Sequence, residues 1–407
     1  MGLNNTPFTV GRGAHGARNL ITDVPGVTVG HVTVREGSDI RTGVTCILPH
    51  GGDLFCDKVM AAPCVLNGFG KSVGLMQVAE LGTIETPIIL TNTLSVGTAS
   101  TAIVKYMMAG HAEIGRSAGT VNPLVCECND GSLSDIRGLH IKEEHVFAAI
   151  ENCTEDFAEG AVGAGTGMSC LGFKGGIGSS SRTVVLDGKT YTIGALVLSN
   201  FGGQGRLMID GRQVGREIQE RLAGEQDKGS IIMIIATDIP LSERQLKRVA
   251  RRAGVGLSRT GSYLGNGSGD IALAFTTANR LPHDSATAIV PMSMMADSHI
   301  DPVFDLTAEA VEEAIVSSMW HADTTEGRDG KIKRSLREFF RENDFGALPQ
   351  APPKGLLKKS LWNLQNLQKR IAAAPKVGCG GKILGCFIYC LFSQILRVGY
   401  LFEHHLA

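Results

Sequence analysis

The segment Gly265-Asn266-Gly267-Ser268-Gly269-Asp270-Ile271-Ala272-Leu273-Ala274-Phe275 sets a serine at the head of an apolar, strand-like run. Small residues on both sides leave its hydroxyl uncrowded. A hydrolase elbow of the Gly-x-Ser-x-Gly kind needs a strand before the serine and a helix after it. Here the strand follows, so the segment suits a different arrangement. A hydroxyl at the start of a strand, directly after glycine, can attack the Gly267 carbonyl in an N-to-O acyl shift. Cleavage then frees an α-amine on the nucleophile itself. Such an amine titrates near ~7.7–8 and serves as a base at neutral pH. A plain Gly-Ser turn is the other reading of the same residues.

Further out, short apolar runs recur between turn residues. Val27–Val34 (VTVGHVTV), Pro87–Leu90, Thr192–Leu198, Ile231–Ala236 and Ile271–Phe275 read as strands of sheets covered on both faces. A helix is expected over Ser242–Ala253. Ser242 and Gln245 form a capping box, Leu246, Val249, Ala250 and Ala253 give the apolar stripe, and Gly254 supplies the stop. A second helix is expected over Ala308–Met319, with Val311, Ala314, Ile315 and Met319 on one face. Residues 1–330 therefore read as one continuous α/β body, with no internal repeat.

Residues 331–407 read as a C-terminal extension. It comprises a charged helix to Asn343, a Pro-rich linker (349–354), a basic amphipathic helix (356–374) and an apolar tail (377–402). The uncharged run between Lys382 and Arg397 is shorter than the ~18 residues a spanning helix needs. Docking on the body or at a subunit interface is expected for it, with membrane-surface contact as the alternative.

Composition narrows the function classes. Of 407 residues, 39 are Lys or Arg and 40 Asp or Glu, a net charge of −1. That balance excludes a basic nucleic-acid footprint. Hydrophobic residues make up 43% and charged residues 19%, which supports a large core and excludes wholesale disorder. The 52 glycines with 5% aromatics suggest tight turns and close backbone approaches. The ten cysteines contain no Cys-x-x-Cys pair and read as free thiols in a reducing compartment. The N-terminal MGLNNTPFTV lacks the charged and apolar regions of a secretory signal, so a cytoplasmic location is expected; it fits a myristoylation pattern only loosely. No cofactor and no metal are expected. No His-Glu-x-x-His motif occurs, and His31 and His50 read as structural. The glycine-rich 163–182 stretch, GAGTGMSCLGFKGGIGSSSR, fails both phosphate-loop spacings. Gly167 and Gly172 are followed by Phe173-Lys174 instead of Gly-Lys-Ser/Thr, and the third glycine of GAGTG comes one residue early. Its glycines are expected to serve close packing beside a site.

Ten collinear blocks resemble the DmpA-type family, the L-aminopeptidase/D-esterase and β-peptidyl aminopeptidase group. They are ITDVPGVTVGHVTV (21–34), TGVTCILP (42–49), VLNGFGKSVGL (65–75), IETPIILTNTLSVGT (84–98), NPLVCECNDGSLSDIRG (122–138), the 163–182 stretch, GALVLSNFGG (194–203), IATDIPLSERQLKRVARRAGVGLSRTGS (235–262), NGSGDIALAFTTANR (266–280) and AEAVEEAI (308–315). The resemblance spans roughly residues 15–330. It implies a four-layer αββα sandwich related to the N-terminal-nucleophile hydrolases. It also implies self-cleavage into an α chain (1–267) and a β chain from residue 268, and release of N-terminal residues from short peptides, amides or esters bearing a free amine. A homo-oligomer, with tetramers of αβ units favoured, is implied as well.

Carried over residue by residue, the resemblance implies Ser268 as nucleophile and Gly267–Ser268 as the processing bond. Asn200, in SNFGG, is a candidate oxyanion donor, or else a turn residue. Glu127, in ECND, is a candidate grip for the substrate ammonium, or else half of a structural ion pair. Asn129 and Asp130 are expected to form a turn. Glu313, in AVEEA, matches a glutamate expected near the nucleophile, with Glu312 as the register alternative. Val311 stands where a hydroxyl residue is expected, and valine cannot relay a proton; Thr307 could substitute only in another helix register. An expected tyrosine oxyanion helper has no counterpart between Tyr106 and Tyr191, a span that holds His140 and His145. These departures keep a second reading open: a catalytically impaired paralogue acting as a subunit or membrane-associated scaffold. A third is acyl transfer as in the related ornithine acetyltransferases, which generally use threonine as nucleophile.

Overall fold

The structure, a computed structural model, describes residues 8–219 and 229–343. Its strands in chain order are β1 (Thr28–Glu36), β2 (Ile40–Leu48), β3 (Asp57–Gly68), β4 (Thr83–Ile84), β5 (Ile88–Asn92), β6 (Leu124–Cys128), β7 (Ser169–Cys170), β8 (Phe173–Lys174), β9 (Gly176–Leu186), β10 (Lys189–Asn200), β11 (Ser230–Thr237), β12 (Gly269–Pro282), β13 (Thr325–Glu326) and β14 (Ile332–Lys333). The helices are α1 (Leu75–Leu81), α2 (Val96–Gly110), α3 (Glu143–Glu151), α4 (Val214–Gln219), α5 (Glu243–Arg259), α6 (Asp301–Trp320) and α7 (Leu336–Glu342).

Two sheets stack face to face. One has the order β1-β2-β5-β6, the other β4-β3-β12-β11-β10-β9. Neighbours run antiparallel except β5–β6 and β11–β12. The inner faces share one core, in which Val29, Ile47, Ile88 and Leu90 meet Leu196, Ile232, Leu273 and Phe275. The outer face of the smaller sheet packs Val44, Ile89 and Val125 against Ala99 and Ile103 of α2 and Val146 and Ile150 of α3. α5 and α6 cover the outer face of the larger sheet. The result is the αββα sandwich. Double coverage explains the unbroken apolar runs: all eight residues of β11 are buried.

Every strand expected from the sequence forms, most of them longer than the apolar run that marked them. The helix boundaries differ more. The Ser242 hydroxyl accepts from the Gln245 N–H, as the capping box requires, but Gly254 does not end the helix. α5 runs through Gly254 and Gly256 to Arg259. A Cβ on Gly256 would lie 2.4 Å from the Ala308 carbonyl oxygen. Its glycine therefore lets α5 and α6 approach backbone to backbone, and this contact offsets a helix-propensity cost of ~1 kcal/mol. α6 begins at Asp301, earlier than expected, with Pro302 in its first turn.

The body also continues past residue 330. β14 pairs with β13, and α7 buries Phe339 and Phe340, the latter edge-on to Phe8 at 5.3 Å. The expected linker, basic helix and apolar tail lie outside the described residues, as do Cys379, Cys386, Cys390 and Gly2. The other seven cysteines are free. Among the described residues no helix is long and apolar enough to cross a membrane.

The glycine-rich stretch does what its failed spacings suggested. Lys174 is fully buried, and its ammonium donates to the carbonyls of Gly165, Met168 and Gly175 at 2.8–2.9 Å. It ties a loop to itself instead of meeting phosphate. His31 and His50 are structural: His31 bridges the Thr45 hydroxyl and the Ala158 carbonyl, and burial lowers its pKa to about 4.

Candidate active site

Ser268 immediately precedes β12, which lies between β3 and β11 in the larger sheet. A tight turn delivers it, closed by the Ser268 N–H donating to the Gly265 carbonyl at 2.9 Å. Asn67, near the end of β3, clamps this turn. Its amide donates to the Gly265 carbonyl at 3.0 Å and to the Ser268 carbonyl. On the other side the Gly269 N–H donates to the Ser230 hydroxyl at 3.1 Å. The backbone on either side of the Gly267–Ser268 peptide is thus held from both neighbouring strands. The Ser268 hydroxyl donates to Asp270 Oδ1 at 2.7 Å.

Gly267 borders a cavity of about 590 Å³ at one end of the sandwich, also lined by Glu127, Asn129, Ser169, Asn200 and Ser230. Glu127 comes from β6 in one sheet and Asn200 from the end of β10 in the other. Three of the expected residues, Ser268 by way of Gly267, Asn200 and Glu127, are therefore brought to one place.

Asn200 is buried and its amide is fixed at both ends. Oδ1 accepts from the Ser169 N–H and Nδ2 donates to the Asn129 carbonyl, each at 2.9 Å. An amide NH₂ has a second N–H, which can meet a ligand oxygen. Asn200 thus ties the backbones of Ser169 and Asn129 together at the cavity wall. Glu127 is buried too. Oε1 accepts from the Lys71 backbone N–H at 2.8 Å and Oε2 from the Thr93 hydroxyl. Among the described residues no cation pairs with it. Each carboxylate oxygen keeps a further acceptor position for an incoming ammonium. Asn129 does form a turn, with Oδ1 accepting from the Gly131 N–H at 2.9 Å. Asp130 beside it is fully buried, which pushes its carboxyl up to about 7.

Glu313 is not in this cavity. Its carboxylate accepts from Arg182 at 2.5 Å, Asn19 at 2.7 Å and His15 at 3.1 Å. Burial opposes its charge, but the bonds and charges of His15 and Arg182 outweigh that and hold its carboxyl below the ordinary range. Strand register measures the separation. Asp270 aligns with Ile231, Ile231 with Ser199 and Ser199 with Gly176, whereas Arg182 lies well beyond Gly176 on β9. At ~3.3 Å per residue and ~4.8 Å per strand, Glu313 sits on the order of 25 Å from Ser268. Its role here is to neutralise the buried Arg182. Glu312 is no substitute, since it accepts from the Asp210 N–H at 3.1 Å.

Val311 is fully buried against Gly256 in the α5–α6 contact, so a hydroxyl there would not reach Ser268. The Thr307 hydroxyl is turned back onto the Val303 carbonyl. His140 pairs with Asp135, and His145 caps the start of α3; neither borders the cavity. Val311 is thus remote from Ser268, and among the described residues no tyrosine lines the cavity. Sequence reasoning missed Asn67, Ser230 and Asp270. Only the last left a readable signal, since residues i and i+2 of a strand share a face.

The model of peptidase family S58 matches residues 19–333. The chain is 37% identical to the β-peptidyl aminopeptidase BapA of Sphingosinicella microcystinivorans over 89% of this chain and 91% of that protein. Among solved structures, the PH0078 protein of Pyrococcus horikoshii OT3 superposes with a TM-score of 0.81 at 53% identity, covering 86% of this chain and all of that one. The L-aminopeptidase D-Ala-esterase/amidase of Ochrobactrum anthropi, described as a prototype serine aminopeptidase and a variant of the Ntn hydrolase fold, gives 0.74 at 37% identity, covering 82% and 96%. Both the matched length and these identities lead to one assignment: the chain belongs to peptidase family S58.

Proposed function

We propose that this chain is a self-processing serine aminopeptidase that releases N-terminal residues from short peptides, amides or esters. The observation that carries the reading is the position of the Gly267–Ser268 bond, on a cavity that also holds a buried carboxylate with no ion-pair partner among the described residues and a fixed amide. The names of the relatives, β-peptidyl aminopeptidase and L-aminopeptidase, support it.

The chemistry follows from the residues. Ser268 Oγ attacks the Gly267 carbonyl, the C–N bond breaks, and an ester replaces the amide. Water hydrolyses that ester and leaves Ser268 with a free hydroxyl and a free α-amine. In later turnovers the α-amine takes the hydroxyl proton while Oγ attacks the carbonyl of the substrate's first residue. The second N–H of Asn200 meets the developing oxyanion. Glu127 holds the substrate's ammonium, which explains selection of a free N-terminus. The proton then passes to the leaving amine, and water clears the acyl-enzyme. Glu313 has no part in this scheme.

Intact mass under denaturing conditions tests it, with Ser268→Ala alongside. Scaling the chain mass by 267/407 and 140/407 gives fragments of roughly 28 and 15 kDa on cleavage before Ser268. Two such fragments in the wild type and one 43.1 kDa species in the variant are expected. A single uncut species in both removes the self-processing reading and moves the chain to the scaffold alternative. We also propose that the chain forms a homo-tetramer and acts in the cytoplasm; light scattering of the purified protein and fractionation of cells check this.

A further inference from the structure

The geometry points to Asp270 as the base for the first, self-cleaving turnover, an inference that rests on Ser268 being the nucleophile. The processed enzyme carries its own base, the Ser268 α-amine. In the intact chain that nitrogen is the amide being cut, and its lone pair is delocalised into the peptide bond. The first cleavage therefore needs another proton acceptor.

Among the described residues, the acceptor that meets the Ser268 hydroxyl is Asp270, with Oδ1 at 2.7 Å. The other polar groups nearby are committed elsewhere. The Asn67 amide acts as a donor to carbonyls, and the Ser230 hydroxyl oxygen receives the Gly269 N–H. Glu127 is held by Lys71 and Thr93, and Glu313 by Arg182. Asp270 is fully buried, so water does not compete for its carboxylate. The β3–β12 ladder also shifts register between Asp270 and Ile271, leaving Leu66 unmatched opposite them. Such irregularities re-aim side chains next to active sites.

The step balances without any co-reactant. As Oγ bonds to the Gly267 carbonyl carbon, its proton moves to Asp270. As the tetrahedral intermediate collapses and the C–N bond breaks, Asp270 returns that proton to the Ser268 nitrogen. The carboxylate is restored and an ester joins Gly267 to Ser268 Oγ. Once the α-amine is free, Asp270 only orients the hydroxyl.

Maturation of freshly synthesised chain in a cell-free system, followed by intact mass, tests the inference in wild type, Asp270→Asn, Asp270→Glu and Ser268→Ala. A general base contributes typically ~10²–10⁴-fold. Asp270→Asn is expected to mature ~10²-fold more slowly or worse while melting like the uncut Ser268→Ala chain. Wild-type maturation should rise with pH as a carboxylate ionises, and the residual cleavage in Asp270→Asn should lack that limb. Asp270→Glu, which keeps the base and displaces it, should mature at least ~10-fold more slowly. Wild-type rates in Asp270→Asn overturn the inference while leaving Ser268 in place; if Asp270→Asn does not fold, wild-type maturation that stays flat with pH does the same. A wild-type chain that stays uncut removes the self-processing reading itself, a distinguishable failure.

Discussion

Glu127→Gln removes one negative charge and almost no volume, so it isolates what the charge does. The Lys71 N–H can still donate to the amide oxygen, and the new NH₂ can donate to the Thr93 oxygen, so both existing contacts survive. The bond lost is the charge-assisted one to the substrate's ammonium. Hydrogen bonds to charged groups contribute about 1.5–3 kcal/mol, a factor of roughly 10–150 in binding. Steady-state kinetics on an amino-acid p-nitroanilide and its N-acetyl counterpart give the assay. KM for the free amine should rise by ~10–150-fold with kcat little changed. Preference for the free amine over the acetylated substrate should shrink by the same factor. In the wild type, KM should also climb as the substrate's amine deprotonates above ~pH 8, and in the variant it should stay flat. Unchanged KM with unchanged discrimination would refute the reasoning and leave Glu127 as an anchor for Lys71 and Thr93.

Asn200→Ala should lower kcat by ~10²–10³ with a small effect on KM; a kcat within threefold of wild type takes Asn200 out of the oxyanion site. Gly256→Ala forces a Cβ against the Ala308 carbonyl and should cost ~1–3 kcal/mol, read as a drop of several degrees in Tm; an unchanged Tm denies the close helix contact. Asp130→Asn probes a carboxyl raised by burial to about 7. The unfolded chain releases that proton at lower pH than the folded one, so Asp130's contribution to stability is full at acid pH and is lost between ~pH 4 and about 7. The variant should therefore out-melt the wild type at pH 8 and lose that advantage towards pH 4; an equal gap at both pH values refutes the assignment.

The strands were legible because coverage on both faces writes itself into the chain as unbroken apolar runs such as Ile231–Ala236. Gly254 and Gly256 were not, since a glycine that stops a helix and one that admits a neighbouring helix look alike until the neighbour is known. Ser268 stood out because a glycine precedes it and a strand follows it, and the structure places it directly before β12. Glu313 was matched through the family resemblance, but AVEEA and its preceding residues offer three buried carboxylates, Glu309, Glu312 and Glu313. Only tertiary packing tells which cation or backbone each one serves, and Arg182 on β9 claims both Glu309 and Glu313. Asn67 was invisible for a related reason, because its partners lie about two hundred residues away.

β12 is flanked by β3 and β11, both of which precede Ser268 in the chain. Cutting the bond before Ser268 would sever the covalent thread and none of the ladder bonds on either side. The two pieces would stay interlaced, and the reverse journey would be closed. An uncut chain finds its fold as a single molecule, whereas separated pieces must first find each other and give up the freedom of two bodies. The cut would act as a ratchet: the mature molecule is assembled once, and its lifetime is set by how slowly it comes apart rather than by any balance between folded and unfolded forms.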